Sequence, residues 1–157
     1  MDTAEKERML TTIRRRGVAN ARVLAAMEAV PREMFVNTSY RDVAYDDCPL
    51  PIGEGQTISQ PLIVAWMAAA IHPQSNDRVL DVGTGSGYAA AVLSRMVAEV
   101  VSVERHARLA HQAQDRLSYL GYDNVRVEVG DGSLGWKEGG PYDGIIVAAA
   151  APEPPPA

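Results

Sequence analysis

A chain of 157 residues with 46% hydrophobic content is one domain's worth of sequence with enough apolar side chains for a core, which excludes wholesale disorder. The formal net charge of −5 argues against a nucleic-acid footprint over the whole surface, and the run Arg14-Arg15-Arg16 reads as a solvated helix end where positive charge suits the dipole, or else as a phosphate contact. The single Cys48 excludes an intramolecular disulfide framework and any CxxC motif, and the charged stretch up to Arg16 has no signal-peptide or membrane-span character, so a cytoplasmic protein without a membrane partner is expected.

Residues 3–16 place Met9, Leu10 and Ile13 at helical spacing among charges, with Thr3 as N-cap and Gly17 as the stop. A second helix follows, capped by Asn20, lined by Val23, Leu24, Met27 and Val30, and ended by Pro31. Between Glu33 and Pro61 the pattern breaks into aromatic, acidic and turn residues, which predicts a long ordered loop of the kind that carries function. Pro61 then suits the first turn of a helix over 62–71, with Ser59 near its start and Ile63, Val64, Trp66, Met67 and Ile71 expected in the core.

After Asn76 the periodicity alternates. Strands are predicted at 78–82, 100–103, 125–129 and 144–148, and helices at 88–97 and 107–120, which indicates a parallel sheet covered on both sides. The organisation is one domain: an N-terminal helical cover and loop over 1–75, a sheet over 76–151, and a Pro-rich tail over 152–157.

Chemistry concentrates at strand ends. The first strand runs into Gly83, Gly85 and Gly87, which supply positive φ and let a ligand approach the backbone where the next helix begins. A dinucleotide fingerprint, GxGxxG, would need a glycine at Tyr88; the GxGxG spacing looks like that of S-adenosylmethionine-dependent methyltransferases. Glu104 ends the second strand, where a carboxylate can accept from ribose hydroxyls or else stand as an exposed charge beside Arg105. Asp131, between Gly130 and Gly132, can accept from an adenine amino group or serve as a simple turn residue. His72, His106 and His111 show no metal spacing, and Cys48 reads as a packed thiol. Trp66 and Trp136 read as packing residues, with Trp136 close enough to Asp131 to border the site.

The stretch from Pro49 to Pro61, with its Gln56-Thr57-Ile58-Ser59 core, combines with Asp81-Val82-Gly83-Thr84-Gly85-Ser86-Gly87-Tyr88, Gly130-Asp131-Gly132 and Pro141-Tyr142-Asp143. Together these closely resemble the protein-L-isoaspartate O-methyltransferase family, over nearly the whole chain. The resemblance implies a doubly wound, Rossmann-like α/β methyltransferase fold with N-terminal helices. It makes Ser59 the active-site hydroxyl, with Gln56 as a possible assistant. Thr57, Ile58, Asp81, Gly83, Thr84, Gly85, Ser86, Gly87, Glu104, Asp131 and Gly132 then hold S-adenosylmethionine, which leaves as S-adenosylhomocysteine.

The implied reaction methylates the α-carboxylate of L-isoaspartyl residues in damaged proteins. The ester then loses methanol to attack by the peptide nitrogen, giving a succinimide that reopens partly to aspartate. Neither metal nor nucleic acid is implied, and family members are monomers. The family continues beyond the last strand found here and closes its sheet with further strands; it usually has a threonine where this chain has Ala148. The expectation is therefore a fragment or truncated form, or a sheet edge completed by another chain or by self-association. Three rivals stay open: methylation of an ordinary aspartate in a dedicated peptide, a non-catalytic cofactor-binding module, and a dehydrogenase.

Overall fold

Caps and prolines set the N-terminal half. In the computed structural model, which describes residues 3–148, α1 spans Thr3–Arg15 and α2 spans Ala21–Ala29. The Asn20 carboxamide oxygen accepts from the N–H groups of Arg22 and Val23 at 3.0 and 3.2 Å, satisfying two donors that the first turn of α2 leaves free. α3, Pro61–Ala70, starts on its proline, and its Leu62 N–H donates to Asp47 Oδ1 at 3.1 Å from the preceding segment.

The stretch expected to be one long loop is more structured than its composition suggested. Short 3-10 turns occupy Arg32–Phe35 and Thr38–Val43, and an antiparallel hairpin pairs β1, Leu50–Gly53, with β2, Gln56–Ile58. Gly53, Glu54 and Gly55 all adopt positive φ, so the residues that looked like breakers form the turn of the hairpin. The expected core face of α3 also needs correction. Leu62, Val64, Ala65 and Ala68 are buried, whereas Trp66 is 42% exposed, because a helix that is apolar all round does not declare its inner face.

The second half is a parallel sheet of β3 (Arg78–Val82), β4 (Glu99–Glu104), β5 (Val125–Val129) and β6 (Gly144–Val147), in the order β5-β4-β3-β6. α4, Tyr88–Ser94, joins β3 to β4, and α5, Ala107–Tyr119, joins β4 to β5. α4 ends before the predicted 97, and a turn at 95–97 leads into β4. The chain winds from β3 through β4 to β5, then returns to the far side of β3, so the reversal of direction lies at the C-terminal end of β3. Open α/β sheets bind ligands at such a reversal. This is the expected α/β architecture.

The period-two alternation of the strands divides the core. Val79, Val100, Val125 and Ile146 share one cluster with α4, with Leu117 of α5 and with the N-terminal helices. Leu80, Val82, Val101 and Val103 form the other, packed by Trp136 and Tyr142 from the 130–142 connection. Only β3 and β4 are buried on both faces. The two edges differ: β5 carries an Arg126–Glu128 ion pair at 3.0 Å, while β6 has no charge and leaves Ile145 and Val147 55% and 47% exposed. The last nine residues, including the Pro-rich tail, lie outside the described residues. No helix among the described residues is long and apolar enough to cross a membrane.

Neighbouring isoleucines of β6 make the facing testable. Ile146, 4% exposed, should cost about 2–4 kcal/mol on truncation to alanine, and Ile145 less than about 1 kcal/mol, in urea denaturation. Equal costs would mean that the strand is registered differently.

Candidate functional site

Three strand ends line up along the C-terminal edge of the sheet. Gly83, Gly85 and Gly87 follow β3 with φ values of 95°, 55° and 94°. The turn is bolted to β4: the N–H groups of Gly83 and Thr84 both donate to the Val103 carbonyl, at 2.8 and 3.3 Å. At Gly85 the space a Cβ would take is already filled, with Ile52 Cδ1 at 3.2 Å. The tip of the β1–β2 hairpin therefore lies directly on the glycine turn, and Glu54 at its turn faces Arg108 of α5 at 3.8 Å. Arg116 of α5 donates to the Ser86 carbonyl at 2.7 Å, tying the turn to that helix.

Glu104, read from sequence either as a ligand carboxylate or as an exposed charge beside Arg105, is only 5% exposed. Its Oε1 accepts from the Gly85 N–H at 3.0 Å and its Oε2 from the His106 N–H at 2.9 Å. The exposed-charge reading is thus overturned, because the carboxylate is anchored by backbone donors. Each oxygen keeps a second acceptor direction, so the group can take hydroxyl donors from a ligand as well.

Beneath the turn runs a buried polar line. Ser102 Oγ lies 2.7 Å from Asp81 Oδ2 and 2.6 Å from Thr84 Oγ1. Asp81 and Ser102 face each other in the β3–β4 register, and both are fully buried. With Asp81 ionised, the single Ser102 proton goes to the carboxylate and Thr84 donates to Ser102, so Asp81 sets the direction of the whole line. Burial pushes the Asp81 carboxyl up to about 7; the Ser102 hydrogen bond opposes that and the Glu104 charge adds to it. Asp81 Oδ1 has no hydrogen-bond partner among the described residues.

Asp131 stands one strand further along, after β5, where the Gly130 N–H donates to the Glu104 carbonyl at 3.0 Å. Its Oδ1 accepts from the Ser133 N–H at 2.9 Å, which caps the Gly132–Leu134 turn and holds the carboxyl below its usual range. The simple turn role weighed from sequence is thus a contact the structure contains, with Oδ2 still available. Gly132 packs on β3 itself, since a Cβ there would meet Val82 Cγ1 at 2.5 Å. Trp136 covers Gly130 in the same way, at 2.7 Å.

On β2, which returns from the hairpin, Ile58 is buried and Thr57 exposed, and Ser59, just past its end, is half-buried. Gln56 is exposed at the hairpin turn. The Ser59 carbonyl accepts from Arg32 Nη2 at 3.0 Å, and that guanidinium lies 4.8 Å from the ring centre of Tyr88, the first residue of α4 after the glycine turn. Two clefts elsewhere, one between α1 and Tyr45–Asp47 and one beside Trp66 and His72, contain none of these residues.

Sequence reasoning passed over Ser102, Ile52, Arg32, Arg116 and the His106 N–H. Ser102 alone left a signal, as a hydroxyl inside an apolar strand; the others depend on folding to meet the turn.

A family model for protein-L-isoaspartate(D-aspartate) O-methyltransferase matches residues 4–157. A curated relative from Pelobacter propionicus, protein-L-isoaspartate O-methyltransferase 2, is 60% identical over 140 residues, which is 89% of this chain and 62% of the relative. A solved protein-L-isoaspartate O-methyltransferase superposes with a TM-score of 0.86 at 34% identity, covering 96% of this chain and 50% of the other. A crystal structure from Plasmodium falciparum, described as an enzyme of the same kind in complex with S-adenosyl-L-homocysteine, gives a TM-score of 0.79 at 26% identity over 95% of this chain and 75% of that one. The chain thus spans less than two thirds of the length of the first curated relative. With a match running from the first helix to the last strand, it belongs to the protein-L-isoaspartate(D-aspartate) O-methyltransferase family.

Proposed function

We propose that this chain binds S-adenosylmethionine at the glycine turn and directs its methyl group to the α-carboxylate of an L-isoaspartyl residue in a protein or peptide. The observation that carries the reading is the Glu104 carboxylate, buried, locked to Gly85 and His106, and lying at the reversal of the sheet. Family membership and the S-adenosylhomocysteine held by the Plasmodium falciparum structure support it.

The residues fit an adenosyl ligand. Glu104 keeps acceptor capacity suited to vicinal hydroxyls, Asp131 Oδ2 suits an amino group, and Asp81 Oδ1 is a buried acceptor unmet among the described residues. Thr57 and Ile58 flank the transfer position, Thr57 exposed and Ile58 packed into the hydrophobic core. Asp81, Ser102 and Thr84 brace the glycine turn from below, and Ile52 caps it from above. When bound, S-adenosylmethionine supplies an electrophilic methyl group on a sulfonium sulfur.

The chain's remaining task is placement. A substrate carboxylate is already ionised at neutral pH, so no residue has to remove a proton from it. Ser59 donates a hydrogen bond that orients the carboxylate, and the hairpin keeps water from the turn. The methyl ester so formed is a better acyl donor than the carboxylate, and the neighbouring peptide nitrogen displaces methanol to give the succinimide.

Isoaspartyl and aspartyl versions of one peptide, offered with labelled S-adenosylmethionine, should separate by at least about 100-fold in methyl incorporation, in favour of isoaspartyl. Equal labelling would favour an enzyme for ordinary aspartate. S-adenosylhomocysteine binding in calorimetry with no transfer to either peptide would favour a non-catalytic module.

The Asp81 carboxyl gives a second prediction. Its folded-state pKa, about 7, lies above the ordinary 3.8, so the stability that neutral Asp81 confers is present below about pH 4 and lost as pH rises through 7. Relative to Asp81→Asn, which cannot ionise, the parent chain should become progressively less stable in urea between pH 5 and 8. A pH-independent difference between the two would show that Asp81 stays ionised throughout.

A further inference from the structure

Among the described residues Arg32 is the largest side chain with essentially no exposure, and it forms no ion pair, the Asp47 carboxylate acting on it only from beyond ion-pair distance. The ion pairs among the described residues are Arg78–Glu99, Arg108–Glu54 and Arg126–Glu128. Its Nε donates to the Ala44 carbonyl at 2.5 Å and its Nη2 to the Ser59 carbonyl at 3.0 Å, while Nη1 is buried with no hydrogen-bond partner among the described residues. The guanidinium rests on the face of Tyr88, which Phe35 meets edge-on at 5.6 Å between ring centres.

Burying a guanidinium without a carboxylate is unfavourable, and an apolar side chain of similar volume would avoid that cost. What an apolar side chain lacks is the planar fork, which can hold carbonyls from two separate segments in one plane. Here one carbonyl ends the Thr38–Val43 turn region and the other belongs to Ser59, and the plane lies on the residue that opens α4. The fork therefore fixes the backbone of Ser59 relative to the helix that leaves the glycine turn.

We propose that Arg32 is the positioning residue of the substrate loop, acting through the Ser59 carbonyl to set where the Ser59 hydroxyl stands against the glycine turn. This rests on the role of Ser59 given above. Lysine keeps the charge but has a single head, so it cannot hold both carbonyls and the ring at once.

Hydrogen exchange reads the loop without any turnover. In Arg32→Lys, amides of residues 44–60 should exchange at least about tenfold faster while those of β3 and β4 are unchanged. Acceleration spread evenly over the fold, or none in the loop, overturns the assignment. A double-mutant cycle on isoaspartyl peptide reads the connection to Ser59. Arg32→Lys should lower kcat about tenfold or more with S-adenosylhomocysteine affinity unchanged, yet reduce kcat less than about threefold further when added to Ser59→Ala. Multiplied losses in the double variant would place Arg32 elsewhere and overturn it. A parent chain that transfers no methyl group contradicts the methyltransferase reading, and the exchange of 44–60 still decides for or against Arg32.

Discussion

The structure depends on one carboxylate holding two turns together. Glu104 ends β4 and accepts from the N–H of Gly85, in the turn after β3, and from the N–H of His106, where α5 begins. Hydrogen bonds to an ionised acceptor contribute about 1.5–3 kcal/mol each, so the pair offsets much of the cost of keeping a carboxylate 5% exposed. The consequence is geometric. Two strand ends that would otherwise move independently are locked at the point where the sheet reverses, and the carboxylate that locks them keeps acceptor directions free.

Around that lock the chain builds a floor and a ceiling. The floor is the Asp81–Ser102–Thr84 line, in which the protonation of one buried carboxyl sets the direction of two hydroxyls. The ceiling is the β1–β2 hairpin, whose Ile52 reaches the space above Gly85. Arg32 ties the strand returning from that hairpin to α4, so floor, ceiling and loop all refer to the same short turn. A site made this way needs little motion within the sheet, because its polar groups are held by backbone donors and by packing rather than by surface contacts.

Much of this was legible in the sequence, for identifiable reasons. β3 and β4 are short apolar runs buried on both faces, and the alternating glycines after β3 mark a turn, so the sheet and the turn at its C-terminal edge followed from residue order. The hairpin was hidden because Pro49, Pro51, Gly53 and Gly55 are residues that usually interrupt strands, and here they shape a two-stranded turn. The inner face of α3 was hidden because apolar residues surround it. Glu104 was recognised as a candidate, but its partners are backbone amides, and no sequence pattern reports those. Arg32 was invisible as a clamp for the same reason: its partners are two carbonyls and a ring from three separate segments.

The most direct test of the central claim follows backbone amides while ligand is added. In a chain labelled with nitrogen-15 and titrated with S-adenosylhomocysteine, the amides of Gly85 and His106, which donate to Glu104, should shift most, together with that of Ile52 above them. Saturable shifts centred on these residues, lost in Glu104→Ala, are the predicted result. Shifts centred on another surface, or none up to millimolar ligand, would contradict it.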